Sequence, residues 1–514
     1  MGANDAEREA RRILELTRRQ IFKLTLVGGA SLAACIVASP VLGRYHSLSR
    51  VQEILSKLTL EQKVAQMVMP TLRLWGDGGS GAPITELNSQ LADAITRCKF
   101  GGVILAPGNC REIDQTVRFV RSMQEAAMSD RSCVCVPMFV GVDFDAGSIG
   151  AEGTSEGADS GEGSGVGEDP ATGADPQTPL DGSSGSGAAA SGDRSVDSVF
   201  TPVPGNAVMG ASSRVDVARS CGYLVGSELM ELGLNLCFGP VTGTAPAQSL
   251  AGDLLADGGV PASPWGGEAF SGDPLVCADM ARSYVRGLDG RFIASALKHF
   301  PGCGEAQMGP DGFPVLDKDA DAMMAFEAMP FVSAIHAGAD AVVVGHVQCP
   351  EVTSQVFPSA SAGADITLPA SLSSEMVDGF LRGEMGFSGL VMSAPLRDAA
   401  LTAHFDVMDA AVLAVNAGVD MLLDPIDAST EEGLRDLAAF VDALVEKVHA
   451  GEISEEVVER AAGRILLAKA RRDIIEGSLN GNVEDRITVA RSSVGGEQHR
   501  AEAQEMAAAC AMSQ

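Results

Sequence analysis

The chain has 514 residues, 46% hydrophobic and 20% charged, with a formal net charge of −31 from 68 acidic and 37 basic side chains. So acidic a chain repels phosphate backbones and anionic headgroups, which excludes nucleic-acid binding as a main function; its length suits one large domain or a few small ones. Eleven cysteines is an odd number, and most, such as Cys237 and Cys277, sit inside apolar runs where cysteine behaves as a small hydrophobe. With no C-x-x-C and no Cys/His cluster at metal-ligand spacing, zinc and redox-enzyme readings drop out, and neither a metal nor a cofactor is expected.

In chain order, residues 1–23 are basic and polar and end in Thr17-Arg18-Arg19-Gln20-Ile21-Phe22-Lys23, followed by an apolar stretch from Leu24 to Leu42. The arginine pair ahead of that stretch resembles a twin-arginine export signal. Leu32-Ala33-Ala34-Cys35 resembles a lipobox, in which Cys35 would be cut at and acylated. The alternatives are a plain signal peptide or an uncut anchor, since roughly 17–25 apolar residues span a bilayer. Each makes 1–43 an export segment. The rest of the chain is then expected outside the cytoplasmic membrane, in the cell envelope, touching the membrane only through its N-terminal anchor.

From residue 50 onward short apolar, β-branched runs alternate with stretches of helical period. The strand expectations are 66–70, 101–106, 136–143, 234–241, 294–300, 339–347, 389–395 and 418–425. Helices are expected between them, including 112–128 and 217–233; the latter gathers Ala218, Cys221, Leu224, Val225, Leu229 and Leu232 on one face. Eight buried parallel strands with crossover helices give an α/β fold, a (β/α)8 TIM barrel forming a single domain over 48–475. A doubly wound sheet would need no eighth strand and commonly carries a Gly-rich phosphate turn, which is missing here. Residues 146–198 are acidic, rich in Gly and Ser and almost free of large apolar side chains, so they are expected to be a disordered insertion after strand three. The polar tail 477–514 is expected to fray.

Several runs are recognisable: LSKLTLEQKVAQMVMP (55–70), FGGVILAPGN (100–109), KHFPGCGE (298–305), LPASLSSEMVDGFLRGEMGFSGLVMS (368–393), AVNAGVDMLL (414–423) and GEISEEVVERAAGRILLAKA (451–470). Collinear and properly spaced, they resemble glycoside hydrolase family 3, and within it the single-barrel bacterial β-N-acetylhexosaminidases. The resemblance implies retaining hydrolysis, in which a carboxylate attacks the anomeric carbon and an acid about 5 Å away protonates the leaving oxygen. It places the nucleophilic aspartate at the end of strand seven, where this chain reads Ser393-Ala394-Pro395-Leu396. It places the acid/base histidine shortly after the run at 298–305, yet no histidine occurs between His299 and His336. Counting from His299, Asp311 falls at that position and is the candidate acid/base, although an aspartate in P-D-G is commonly a turn residue.

The resemblance also implies substrate binding by Asp143, Lys298, His299 and His346; the alternative is structural, with Asp143, Lys298 and His299 satisfying one another across the barrel top. An arginine and an aspartate of the family pattern have become Glu268 and Gly243. Two expectations follow. One is a catalytically silent, envelope-tethered barrel that binds cell-wall glycan, another carbohydrate or a protein partner. The other is an active glycosidase acting on terminal β-N-acetylglucosamine or β-glucose linkages with relocated carboxylates, Asp398 as nucleophile and Glu305 or Asp311 as acid.

Overall fold

Pro70 splits the first barrel strand, because a proline has no N–H to give its neighbour. In the computed structural model, which describes residues 48–76, 81–143, 199–245 and 268–513, β1 therefore runs in two pieces, Val68–Met69 and Thr71–Leu72. The other strands are β2 (Gly102–Leu105), β3 (Phe139–Asp143), β4 (Leu236–Val241), β5 (Ala294–Phe300), β6 (Ala341–Val344), β7 (Leu390–Ser393) and β8 (Leu422–Leu423). Each lies inside one of the eight expected runs. The expectations at 1–43, Cys35 included, and at 146–198 lie outside the described residues.

Neighbouring strands pair in parallel from β1 to β7, with Thr71 opposite Ile104, Val142 opposite Cys237, Val241 opposite Lys298 and Val343 opposite Met392. The ring closes through β8. Val68 and Met69 pair with Leu422 and Leu423, Met392 bridges to Met421, and Ser393 N donates to Met421 O at 2.9 Å. Parallel strands covered on both faces need continuous apolar sequence, and β2, β4, β6 and β7 are almost wholly buried.

Helix α1 (Leu60–Gln66) leads into β1, and α2 (Ser89–Cys98), α3 (Ile113–Ala127), α4 (Val215–Leu232), α5 (Pro274–Asp289), α6 (Ala328–His336), α7 (Glu375–Glu384) and α8 (Val407–Ala417) connect successive strands. After β8 come α9 (Glu431–His449) and α10 (Glu455–Arg471). Their starts follow from short polar residues: Thr59 and Gln62 form a reciprocal capping box on α1, and Asp273 caps α5 with Pro274 in its first turn. The expected face of α4 is the buried one. At the barrel floor α10 inserts Lys469, fully buried, with Nζ 2.7 Å from Gln66 Oε1 and 5.3 Å from the centre of the Phe139 ring. Burial holds that amine well below its ordinary value.

The tail departs from expectation. Instead of fraying, residues beyond 477 form α11 (Val483–Ser493) and α12 (Glu497–Ala511). Ile487, Ala490 and Val494, then Ala503, Met506 and Cys510, are buried at helical spacing. Arg491 holds Asp114 of α3, and His499 Nδ1 lies 2.8 Å from Glu228 Oε1 of α4. The apolar stripe is narrow, three buried side chains per helix, and its weak periodicity escaped the sequence reading.

Candidate functional site

The C-terminal ends of the strands converge at one mouth, where a barrel carries its chemistry. Register sets Lys298 beside Val241, and Thr242 N donates to Lys298 O at 2.7 Å, so β5 delivers its lysine next to the end of β3. There Lys298 Nζ meets Asp143 Oδ1 at 2.5 Å. The lysine side chain is 5% exposed and the aspartate 41%, so the pair is rooted in the barrel and opens to solvent through its carboxylate. His299 follows Lys298 across a cis peptide bond. Burial, with smaller contributions from Lys298 and His346, pushes its imidazole down to about 3, which keeps it neutral.

His346 is spent on structure. Its Nδ1 lies 2.7 Å from Ser371 Oγ and its Nε2 3.0 Å from Pro395 O, so both ring nitrogens are engaged by protein and the ring ties β6 to the turn after β7. Burial lowers its pKa while the Asp398 carboxylate opposes this. The sequence expectation of a sugar-binding His346 is therefore corrected to a positioning role.

Ala394, the position at which the resemblance expects a nucleophilic carboxylate, follows the end of β7. The surrounding backbone is regular: Ala394 N donates to Val344 O at 2.8 Å, and Ser393 Oγ accepts from Leu423 N at 3.0 Å. The strand end thus presents a methyl group.

Asp311 is a turn residue, the other reading of P-D-G. It sits in the loop of a short hairpin pairing Gln307–Met308 with Pro314–Val315, where Gly309 N donates to Phe313 O at 2.7 Å. One of its oxygens accepts from Gln348 Nε2 at 2.7 Å, which engages the carboxylate expected to act as acid/base. The relocated carboxylates are also committed. Glu305 is 2.5 Å from Lys318 Nζ, which also holds the buried Glu327, and Asp398 caps the short helix Ala399–Thr402 by accepting from Ala400 N at 2.9 Å. Burial raises Asp398 above the usual carboxylate range, with His346 opposing.

The loops after β4 and β5 press together. A Cβ on Gly304 would stand 1.7 Å from Thr244 O, and one on Gly243 would stand 3.3 Å from Gly302 Cα. Only glycine fits at 304, and a side chain at 243 would crowd the facing loop.

His404 was passed over in the sequence because nothing in LTAHFD distinguishes it from any histidine between helices. Its Nε2 lies 2.7 Å from Asp311 O, its Nδ1 lies 2.7 Å from Ser359 Oγ and 2.9 Å from Ser361 Oγ, and its ring packs 5.4 Å from that of Phe313. It knots the loops that follow β5, β6 and β7. Among the described residues no group of three or more histidine, cysteine or carboxylate side chains is arranged to hold a metal. Among the described residues at the mouth, β3 and β5 contribute a half-open carboxylate on a buried ammonium, beside a neutral imidazole.

Comparison with known proteins sets this geometry in a family. The glycosyl hydrolase family 3 N-terminal domain matches residues 189–468. Beta-hexosaminidase A of Pseudoalteromonas piscicida is 24% identical over 454 residues, covering 86% of this chain and 65% of its own length. A beta-hexosaminidase of Xanthomonas oryzae pv. oryzae is 32% identical over 207 residues, covering 40% of this chain and 54% of its own. The chain thus spans between about half and two thirds of these curated relatives. Among solved structures, the family 3 beta-N-acetylglucosaminidase of a Paenibacillus species superposes with a TM-score of 0.62 at 26% identity, covering 87% of this chain and 68% of that one. The beta-N-acetylhexosaminidase of Beutenbergia cavernae gives 0.57 at 24% identity, over 80% of this chain and 98% of that one, a likeness of fold.

Proposed function

We propose that this chain, which belongs to glycoside hydrolase family 3 and resembles its β-hexosaminidases, binds an N-acetylhexosamine-containing glycan at the barrel mouth without hydrolysing it. The observation that carries the reading is Ala394. A methyl group at the end of β7 cannot form a glycosyl-enzyme intermediate. Support comes from Asp311, whose carboxylate is engaged by Gln348, and from the loop contact at Gly243. The binding half of the proposal rests on Asp143, whose exposed part can accept sugar hydroxyls while Lys298 fixes its orientation. Export and tethering through the segment at 1–43, by acylation of Cys35 or by an uncut helix, complete the proposal and would place the barrel among cell-wall glycans.

A second reading has one observation in its favour. Asp398, the relocated nucleophile of that reading, lies beside His346, whose proximity opposes the rise that burial causes in its carboxyl. Its capping bond to Ala400 and its place beyond the strand end count against it, since a displacement of about 1 Å can cost 100-fold in rate. Two assays on the purified protein separate the readings. Hydrolysis of an aryl β-N-acetylglucosaminide that disappears in Asp398→Asn would establish the second. Absence of turnover, with calorimetric binding of a cell-wall disaccharide that weakens in Asp143→Asn, is the result expected of the first.

A further inference from the structure

On the barrel face opposite the sugar mouth, the loop between α3 and β3 carries Cys133-Val134-Cys135. Both thiols turn toward one residue: Cys133 Sγ donates to Asp130 Oδ2 at 3.3 Å and Cys135 Sγ to Asp130 O at 3.0 Å. The ammonium of Lys99 lies 2.9 Å from the same Asp130 Oδ2, giving the thiols a neighbouring positive charge. Both cysteines are partly exposed, unlike Cys110, Cys221, Cys237, Cys277, Cys303 and Cys349 in the core. Cys135 also lines a cavity of about 190 Å³ with Arg50, Lys57, Met128 and Pro137.

We propose that Cys133 and Cys135 form an exchangeable dithiol that closes to an intramolecular disulfide by reaction with a small-molecule disulfide. The backbone permits the ring. Two residues apart, the α-carbons are separated by at most about 7 Å, the upper edge of the range a disulfide bridges, and both sulfurs already converge on Asp130, at 3.3 Å and 3.0 Å from its Oδ2 and O. In the first step the Cys135 sulfur, reached through the cavity, attacks one sulfur of the incoming disulfide and expels one small thiolate. In the second the Cys133 sulfur attacks Cys135 in that mixed disulfide and expels the other. The two S–H protons pass to the released thiolates, so the protein loses two electrons and the small disulfide becomes two thiols. Burial and the adjacent Cys133 push the Cys135 thiol up while Lys99 opposes, so the exchange is gated by access and by the second thiol. Closing the ring removes the thiol donors from Asp130, and the change is felt next to the helix at 48–55 and the turn after it, which contribute Arg50 and Lys57 to the cavity.

The test uses the full chain and cystine as the probe. After timed exposure, free thiols are blocked with N-ethylmaleimide and the peptides are weighed. The expected result is a peptide carrying both residues that has lost two hydrogens and holds neither maleimide nor half-cystine. Its formation should be at least about tenfold faster than modification of Cys98, whose thiol burial raises to about 11. Cys133→Ser should retain a stable half-cystine on Cys135. Maleimide on both thiols of the wild-type peptide, a lasting half-cystine on either, or pairing of either with another cysteine would overturn the proposal.

Discussion

Replacing Asp143 by alanine should cost far more than replacing its partner. The change leaves the Lys298 ammonium, 5% exposed, without a carboxylate 2.5 Å away. Breaking a buried ion pair from one side costs about 3–5 kcal/mol. Asp143 is 41% exposed, so water reaches the gap and the expected loss is lower, about 2–3 kcal/mol. Lys298→Met removes the buried charge instead and lets the aspartate turn to solvent, at an expected cost of about 1 kcal/mol or less. The double variant should lie near Lys298→Met, which gives a coupling of about 2 kcal/mol. Pulse proteolysis across a urea series reads the four proteins on one scale. Equal losses in the two single variants, or a loss below about 1 kcal/mol for Asp143→Ala, would refute the view that Asp143 is the counter-charge of a buried lysine.

His499 at the end nearest Glu228 should make docking of α12 depend on pH. Glu228 raises the histidine, so the stability it contributes is fully present below the unfolded value near 6.5 and is lost as pH rises through the folded value; protection factors over 497–511, taken relative to the intrinsic exchange rate at each pH, should be higher at pH 6 than at pH 9. Gly304→Ala should destabilise the fold by about 3 kcal/mol or more, because the added Cβ meets Thr244 O at 1.7 Å, and soluble yield with thermal unfolding will show it. Cys35→Ala is expected to shift the protein from the membrane fraction to the soluble fraction or to leave an unprocessed precursor; unchanged partition would remove the lipidation proposal.

The barrel was legible because its strands obey two rules at once, being short, continuous apolar runs and being spaced by helices of 3.6-residue period. Boundaries shrank where a strand met a turn: the run at 418–425 keeps only Leu422–Leu423 as strand, since Asp424 takes a positive φ of 46°. The final helices were missed for a physical reason. Each buries only three side chains, Ile487, Ala490 and Val494 on one and Ala503, Met506 and Cys510 on the other, among polar and charged neighbours that hide the period.

The site was legible where chemistry depends on residue type and illegible where it depends on partners. The proposal of a silent site rests on Ala394, whose lack of a carboxylate needs no folded structure to be read. The pairing of Asp143 with Lys298 was open as an alternative in the sequence and the register of β3, β4 and β5 brings it about, whereas the bonds of His346 needed Ser371 and the Pro395 carbonyl. Residues 49 positions apart left no local pattern from which that duty could be read. His404 shows the same limit, because its three loops meet only in the folded chain.

The central claim is that the mouth binds sugar without cleaving it. The most direct measurement incubates the unmodified full chain with an aryl β-N-acetylglucosaminide and follows aryl release against a heat-inactivated control. The account predicts no release above that control, with saturable binding of the substrate seen by calorimetry in the same buffer. Release that scales with protein concentration would contradict it, and would assign catalysis to a carboxylate other than the one Ala394 has replaced.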